Sequence, residues 1–369
     1  MSRLDELIQE LCPNGVEYKK LSKVTKIERG KRVVKKQLSQ DSGFPVFQNS
    51  LTPMGYHVDS NYPAETTFII GAGSAGEIGY SKENFWAADD CFPIVCSDSV
   101  INRYIFHFLL KKRSVLLSKV RKSSIPRLSR TVIENLMIPV PPLKVQEEIV
   151  RILDKFTTLE AELTAELTAR KKQYEYYRRK LLTFGEDIPV FQIKEIGTVS
   201  IGEFVHKSKQ NPNAQYPVFN GGISNTGFYN DFNRTANKVI ISARGANAGF
   251  VNRVFTNFWS GNSCYTIDIP NGKVDWNYAY FWMKSNETKL LGDQQKGGIP
   301  AISKKQVEEF QIPVPPIEEQ HRIVSILDKF DMLATSISEG LPKEIELRRK
   351  QYEYYRNQLL SFPDNKATA

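Results

Sequence analysis

Cysteine is scarce in this 369-residue chain: Cys12, Cys91, Cys96 and Cys264 are the complete set, with no C-x-x-C spacing among them. That argues against a zinc knuckle or a disulfide framework and fits a reducing cytoplasm. Histidine is equally rare, and His57, His107, His206 and His321 are scattered, with no H-E-x-x-H pair. No apolar run approaches the ~18 residues needed to span a bilayer, and the N-terminal MSRLDELIQELC is amphipathic and acidic, unlike a signal peptide. A P-loop, a G-x-S-x-G elbow, an Asn/Asp-Pro-Pro-aromatic methyltransferase motif and an acid-rich nuclease cluster are all missing. The expectation is a reader that lacks an active site, with no catalytic residue, no metal ligand and no cofactor of its own.

Positive charge is present and unevenly placed. The chain carries a net +9, and Lys19 to Lys36 holds nine cations against one acid, Glu28, while Lys111 to Arg130 holds eight and no acid. Either run alone could be a solvated face. Concentrated in the first third of the chain, the two together point to a polyanion such as DNA.

The chain is also duplicated. IPVPPLKVQEEIVRILDKF (138 to 156) returns as IPVPPIEEQHRIVSILDKF (312 to 330), and RKKQYEYYRRKLLTF (170 to 184) as RRKQYEYYRNQLLSF (348 to 362). Weaker echoes precede each block: FPVFQNSLTPMGY faces YPVFNGGISNTGF, and Phe85-Trp86 with Cys91 face Phe258-Trp259 with Cys264. Both cysteines, flanked by aromatics, read as core residues. From Val145 to Leu182 there is no Gly or Pro, and apolar residues recur every three to four positions, the seam of a coiled coil. About 37 helical residues make a rod of roughly 55 Å that needs a partner, and its own duplicate is the obvious one. The second rod has four extra residues, with Gly340 and Pro342 among them, so a kink is expected there.

The segments before each rod alternate short apolar or aromatic runs (TTFIIG, CFPIVC, KVIISA, CYTIDI) with Gly, Asn, Pro and Ser, the pattern of strands carrying polar loops. In the first, FIIGAGSAGEIGY (68 to 80) contains G-x-G-x-x-G after a strand. A dinucleotide site would also need a helix opening at Gly76 and an acid about 20 residues on. The following EIGYSKENFW reads as a turn into another strand, so the glycines are expected to shape a tight loop.

The pairing of IPVPP with Q-x-x-I-V-x-I-L-D-K-F and R-K-Q-Y-E-Y-Y-R, twice, resembles the specificity subunits of type I restriction-modification systems, over essentially the whole chain. The fold implied is α+β: target-recognition domains of mixed strands and helices at 1–142 and 186–316. They are separated by long conserved helices at 143–185 and 317–369 that pair as an antiparallel coiled coil with pseudo-twofold internal repetition. The resemblance implies a non-catalytic DNA-recognition subunit, each domain reading half of a bipartite, asymmetric site and the helix pair setting the gap. Two methyltransferase subunits carrying S-adenosylmethionine would dock on the helices, and two ATP- and magnesium-dependent restriction subunits would join. It leaves open a type IIB-like enzyme with a fused partner; apart from it, a stand-alone DNA-modifying enzyme is a weaker alternative.

Recognition loops diverge with their targets, so candidate residues follow from residue type and placement. Lys31, Arg32, Lys35, Lys36, Lys122, Lys207, Lys209 and Lys296 are the candidates for phosphate contact. Arg29, Gln48, Asn49, Arg127, Asn220, Arg244, Asn247 and Gln295 are those for reading bases. On the helices Tyr174, Tyr177, Arg178, Tyr352, Tyr355 and Arg356 read either as aromatic packing or as a duplicated docking surface.

Overall fold

A computed structural model describes residues 2–270, 272–292, 300–335 and 340–365. It divides into two units, residues 1–164 with 344–369, and residues 165–343. The first unit holds a recognition region, the start of the central helix and the end of the C-terminal one. The second holds the other region with the complementary helix parts.

In the first unit a four-stranded antiparallel sheet runs in the order Thr25–Ile27, Cys91–Cys96, Thr66–Ile70, Ile78–Ser81. TTFII is β-branched and aromatic, and all five of its residues are buried, as suits an interior strand. A three-stranded sheet, Tyr56–His57, Phe44–Phe47 and Trp86–Ala87, adjoins it in sequence. The second unit repeats both sheets strand for strand: Thr198–Ile201, Cys264–Asp268, Lys238–Ser242, Val251–Val254, and Gly227–Tyr229, Tyr216–Phe219, Trp259–Ser260. Cys91 and Cys264 are buried beside Phe85 and Phe258, and burial pushes both thiols up.

One helix per unit covers the sheet. Asn102–Lys111 buries Tyr104, Ile105, Phe108 and Leu109 on one face, and Trp276–Ser285 is capped by Asp275, which accepts from the Asn277 and Tyr278 N–H groups. The I-P-V-P-P segments form short edge strands, Met137–Pro139 against Tyr18–Lys20 and Gln311–Pro313 against Val190–Gln192. The Tyr104 and Tyr278 hydroxyls donate to the carbonyls of Pro139 and Pro313 at 3.0 and 2.7 Å. The following prolines end the strand and leave the next residues free to turn into helix.

The glutamine of each repeated block anchors the rod. Gln146 is fully buried; its side chain accepts from Ile101 N–H at 2.9 Å and donates to the carbonyls of Ser99 (2.9 Å) and Pro141 (2.8 Å). Gln320 does the same with Asp275 N–H, Lys273 O and Pro315 O, at 2.9, 3.0 and 2.8 Å. A turn or two further on, Ile149 and Leu153, like Ile323 and Leu327, lie wholly inside their cores, each contributing about 2 kcal/mol.

The central helix is continuous over Leu143–Leu181, as its composition requires. The C-terminal rod is described as Ile317–Thr335 and Gly340–Leu359, and Gly340 has φ +75°, a value that right-handed helix excludes. The expected interruption is therefore present at Gly340.

Within each unit the repeated motifs meet crosswise. In the first, Phe156 of one ILDKF stacks on Tyr355 of the other repeat's QYEYYR, 5.2 Å between centroids, and four residues on Glu160 pairs with Arg349 at 2.5 Å. One index rises while the other falls, so these segments run antiparallel. In the second unit Tyr177 stacks on Phe330 at 5.4 Å, the same pair with the repeats exchanged.

Candidate nucleic-acid interface

The G-A-G-S-A-G segment is a loop between strands. Gly73 and Gly76 have φ +82° and +89°, where an L side chain is strained, and the chain then enters the strand Ile78–Ser81 with no helix at Gly76. Three segments hold the loop: Gly71 N–H donates to Asp90 O, Ser74 N–H to Asn49 O and Gly73 N–H to Pro126 O, at 2.7, 2.9 and 3.1 Å. A Cβ on Gly73 would sit 2.8 Å from Asn49 O, a second reason for glycine there.

This convergence gathers several of the candidate residues. A cavity of about 520 Å³ is lined by Arg29, Gly71, Asp89, Asp90, Arg127 and Arg130, among others. Asp89 organises one side: its carbonyl accepts from Arg29 Nε at 2.9 Å, and its carboxylate from Gln48 Nε2 at 3.4 Å. Asn49 is exposed beside the loop that its carbonyl holds. Asp89 itself went unnoticed in the sequence; its adjacency to the repeated Cys91 was the available signal.

Lys31, Arg32, Lys35 and Lys36 lie on the stretch after the strand Thr25–Ile27, pinned by Lys31 N–H on Ala87 O and closed by the short 3-10 turn Lys35–Gln37. Lys35 borders a separate cavity of about 570 Å³ with Leu38, Met54 and Tyr56. Lys122 is exposed in the segment folded back by the Arg121–Arg127 bridge.

In the second unit Lys207 and Lys209 occupy the equivalent 3-10 turn, Lys207–Lys209. Arg244 and Asn247 are exposed on the loop after Lys238–Ser242. Asn220 is half-buried, and its side-chain oxygen accepts from Ser263 N–H at 3.1 Å, a structural role. Gln295 and Lys296 lie outside the described residues.

On the rods some cations pair locally, as in Arg151–Glu148 and Arg322–Glu319 (both 2.6 Å) and Arg348–Glu344 (3.4 Å), while others, Lys171 and Lys172 among them, join no ion pair among the described residues. Among the described residues none of Lys31, Arg32, Lys35, Lys36, Lys122, Arg127, Lys207, Lys209 and Arg244 joins an ion pair, and all are exposed, so their charge is available to a polyanion. The groups present suit phosphates and base edges.

The helix tyrosines sort by exposure. Tyr174 and Tyr352 are 6% and 7% exposed and belong to the unit cores. Burial pushes each phenol up to about 12. Tyr177 and Tyr355 are engaged in the ring stacks, and Arg178 and Arg356 lie over Tyr174 and Tyr352 at 5.5 and 5.2 Å. The open aromatic faces of the motif are Tyr176 and Tyr354, 61% and 59% exposed, which motif matching alone did not single out.

The model of the type I restriction modification DNA specificity domain matches residues 13–169 and again 185–347. The chain belongs to the type I specificity-subunit family. A putative type I restriction enzyme specificity subunit of Haemophilus influenzae is 32% identical over 94% of this chain and 96% of its own. The EcoR124I/EcoR124II specificity subunit of Escherichia coli is 32% identical over 98% of each. Among solved structures, the type I S subunit of M. genitalium matches with a TM-score of 0.73 at 17% identity, covering 95% of this chain and 97% of that one, a likeness of fold. Seen as a specificity subunit, each matched segment contains one copy of the repeated pair of sheets, and the α+β architecture with a long helix between the domains is the family's. No described helix is long and apolar enough to cross a membrane.

Proposed function

We propose that this chain is the sequence-reading subunit of a type I restriction-modification complex, each unit recognising one half of a bipartite DNA site. The observation that carries this is the duplication of a whole recognition unit, each copy presenting exposed loop cations, such as Lys35, Lys36 and Arg127 in the first and Lys207 and Arg244 in the second, that join no ion pair among the described residues. Methylation and cleavage belong to partners: two methyltransferase subunits with S-adenosylmethionine, docked on the rods beside Tyr176 and Tyr354, and two restriction subunits using ATP and magnesium. The chain contributes binding and spacing and works in the cytoplasm.

Mapping methylated adenines across the genome with and without this gene tests the reading: a bipartite motif should disappear with the gene, and an unchanged methylome would refute it. The rods set the gap between half-sites. Removing four residues from each shortens them by about 6 Å and should shift the gap by one to two base pairs. A motif with the original gap would remove the spacing role and leave the reading role intact.

A further inference from the structure

The loop after Thr66–Ile70 and the segment before the helix Arg130–Glu134 meet in one antiparallel bridge, Ala72 opposite Arg127. In the second unit the corresponding bridge is Arg244 opposite Ala301. Backbone geometry makes the two places equivalent. Leu128 N–H donates to Gly71 O at 2.8 Å and Ile302 N–H to Ala243 O at 2.9 Å; Gly73 N–H donates to Pro126 O at 3.1 Å and Gly245 N–H to Pro300 O at 2.9 Å. Gly73 and Gly245 share the left-handed conformation, φ +82° and +90°.

Alanine and arginine have thus changed places across the bridge. Directly opposed residues of an antiparallel pair send their side chains out on the same face with Cβ atoms about 5 Å apart. An arginine from either strand therefore serves the same spot. Neighbouring positions show no such compensation: Asp89-Asp90 before Cys91 becomes Asn262-Ser263 before Cys264. The adjacent cation is kept in both units but neutralised, Arg130 on Glu134 at 3.1 Å and Lys304 on Glu308 at 3.3 Å. Among the described residues Arg127 and Arg244 form no ion pair and no side-chain hydrogen bond, and both are exposed.

We infer that each unit carries one arginine slot on this bridge that grips a DNA backbone phosphate beside its half-site, while the side chains that differ between units read the bases. The inference rests on the proposed function, in which the units read different sequences. A feature shared by two such readers suits what every DNA sequence has in common, its phosphates. Guanidinium also pairs with phosphate through two parallel hydrogen bonds. Residue type alone had suggested base reading for both arginines; the exchange across the bridge reassigns them.

The test uses the full chain with its methyltransferase subunits present, a duplex carrying the mapped motif and a scrambled duplex, across a salt series. Arg127→Ala should weaken binding to both duplexes by the same factor and lower the salt slope by about 0.9, the value of one phosphate contact. Ala72→Arg combined with Arg127→Ala should restore both, as should Ala301→Arg combined with Arg244→Ala in the other unit. Arg127→Lys, which leaves the loops untouched, should fall between wild type and alanine.

A loss confined to the motif duplex at unchanged salt slope would overturn the slot in favour of a base contact. So would a relocated arginine that restores nothing in a chain with unaltered thermal unfolding. Wild type that binds with Arg127→Ala indistinguishable from it overturns the slot alone. Wild type that binds neither duplex overturns the proposed function, and the slot with it.

Discussion

Asp154 and Asp328 hold the same place in the two copies of I-L-D-K-F and are held by different partners. In the first unit Asp154 accepts from Arg103 Nε at 2.7 Å and from His107 Nε2 at 2.8 Å, both on the helix Asn102–Lys111. In the second, the matching helix offers Asn277 and Phe281, and the cation comes from a strand. Arg253 reaches Asp328 at 2.6 Å and Asp331 at 3.0 Å and lies over Tyr280 at 4.6 Å. Tyr80 stands where Arg253 does, with Arg103 over its ring at 4.3 Å. The carboxylate requires a cation, and the fold accepts one from whichever neighbouring element can reach it. The Ala72–Arg127 and Arg244–Ala301 exchange follows the same rule, so the duplicates diverged by compensating pairs.

The largest effect should come from Gln146→Leu and Gln320→Leu, each stranding one buried N–H and two carbonyls at about 2–3 kcal/mol. Their environments match bond for bond, so their costs should agree, and a clear inequality would show that the two junctions have drifted.

Next comes breaking the aspartate node where it has fewest supports. Arg253→Leu removes the cation that Asp328 accepts from and leaves that partly exposed carboxylate to water, and should destabilise the second unit by about 2 kcal/mol. Arg103→Leu should cost less than half of that, because His107 still holds Asp154. Urea unfolding of the full chain, followed by hydrogen exchange in each unit, compares them; equal losses would end the claim that the nodes are built differently.

His107→Phe, which installs the residue that the second unit carries, should cost about 1 kcal/mol near neutral pH. It should also change the pH profile. Burial holds the imidazole below its ordinary 6.5, facing Asp154, Tyr352, Arg103 and Arg356. With the proton on Nε2, the neutral ring donates to Asp154 and accepts from Tyr352 at Nδ1, 2.8 Å away. The unfolded chain then takes up a proton near pH 6.5 that the folded chain refuses, so first-unit stability falls as the pH drops below that value. Melting temperatures between neutral and mildly acid pH should decline less in the variant; parallel declines would clear His107 of the effect. Smallest of all, Arg349→Ala removes the exposed member of its pair with half-buried Glu160 and should shift stability by no more than about 1 kcal/mol, less in high salt.

Much of the fold was legible because duplication is a comparison the chain makes with itself. The repeated I-P-V-P-P and Q-Y-E-Y-Y-R marked the duplication and the rods, and the Gly- and Pro-free stretch gave a continuous helix; that each compact unit would take half of both rods was not legible. The interruption at Gly340 followed from composition. The G-A-G-S-A-G match misleads until the residues after it are read, since Gly73 and Gly76 answer a need for positive φ between strands. The interface was less legible. Gln48 and Arg29 were candidates by residue type, but Asp89, which orients both, had no motif to announce it, and the exposed Tyr176 and Tyr354 could not be told from the buried Tyr174 and Tyr352 within one identical hexapeptide.

By itself the sequence determined what depends on neighbours along the chain: the strands and turns, the amphipathic rods, the two-fold repetition and the excess of positive charge. Tertiary structure decided what depends on residues far apart in number. Phe156 meets Tyr355 through crosswise pairing, Arg253 reaches Asp328 from a strand 75 positions earlier, and Arg127 and Arg244 emerge on one bridge from opposite sides. Local periodicity fixes which face of an element is apolar. Only packing one face against another selects the carboxylate each cation meets, and so which cations are left unpaired.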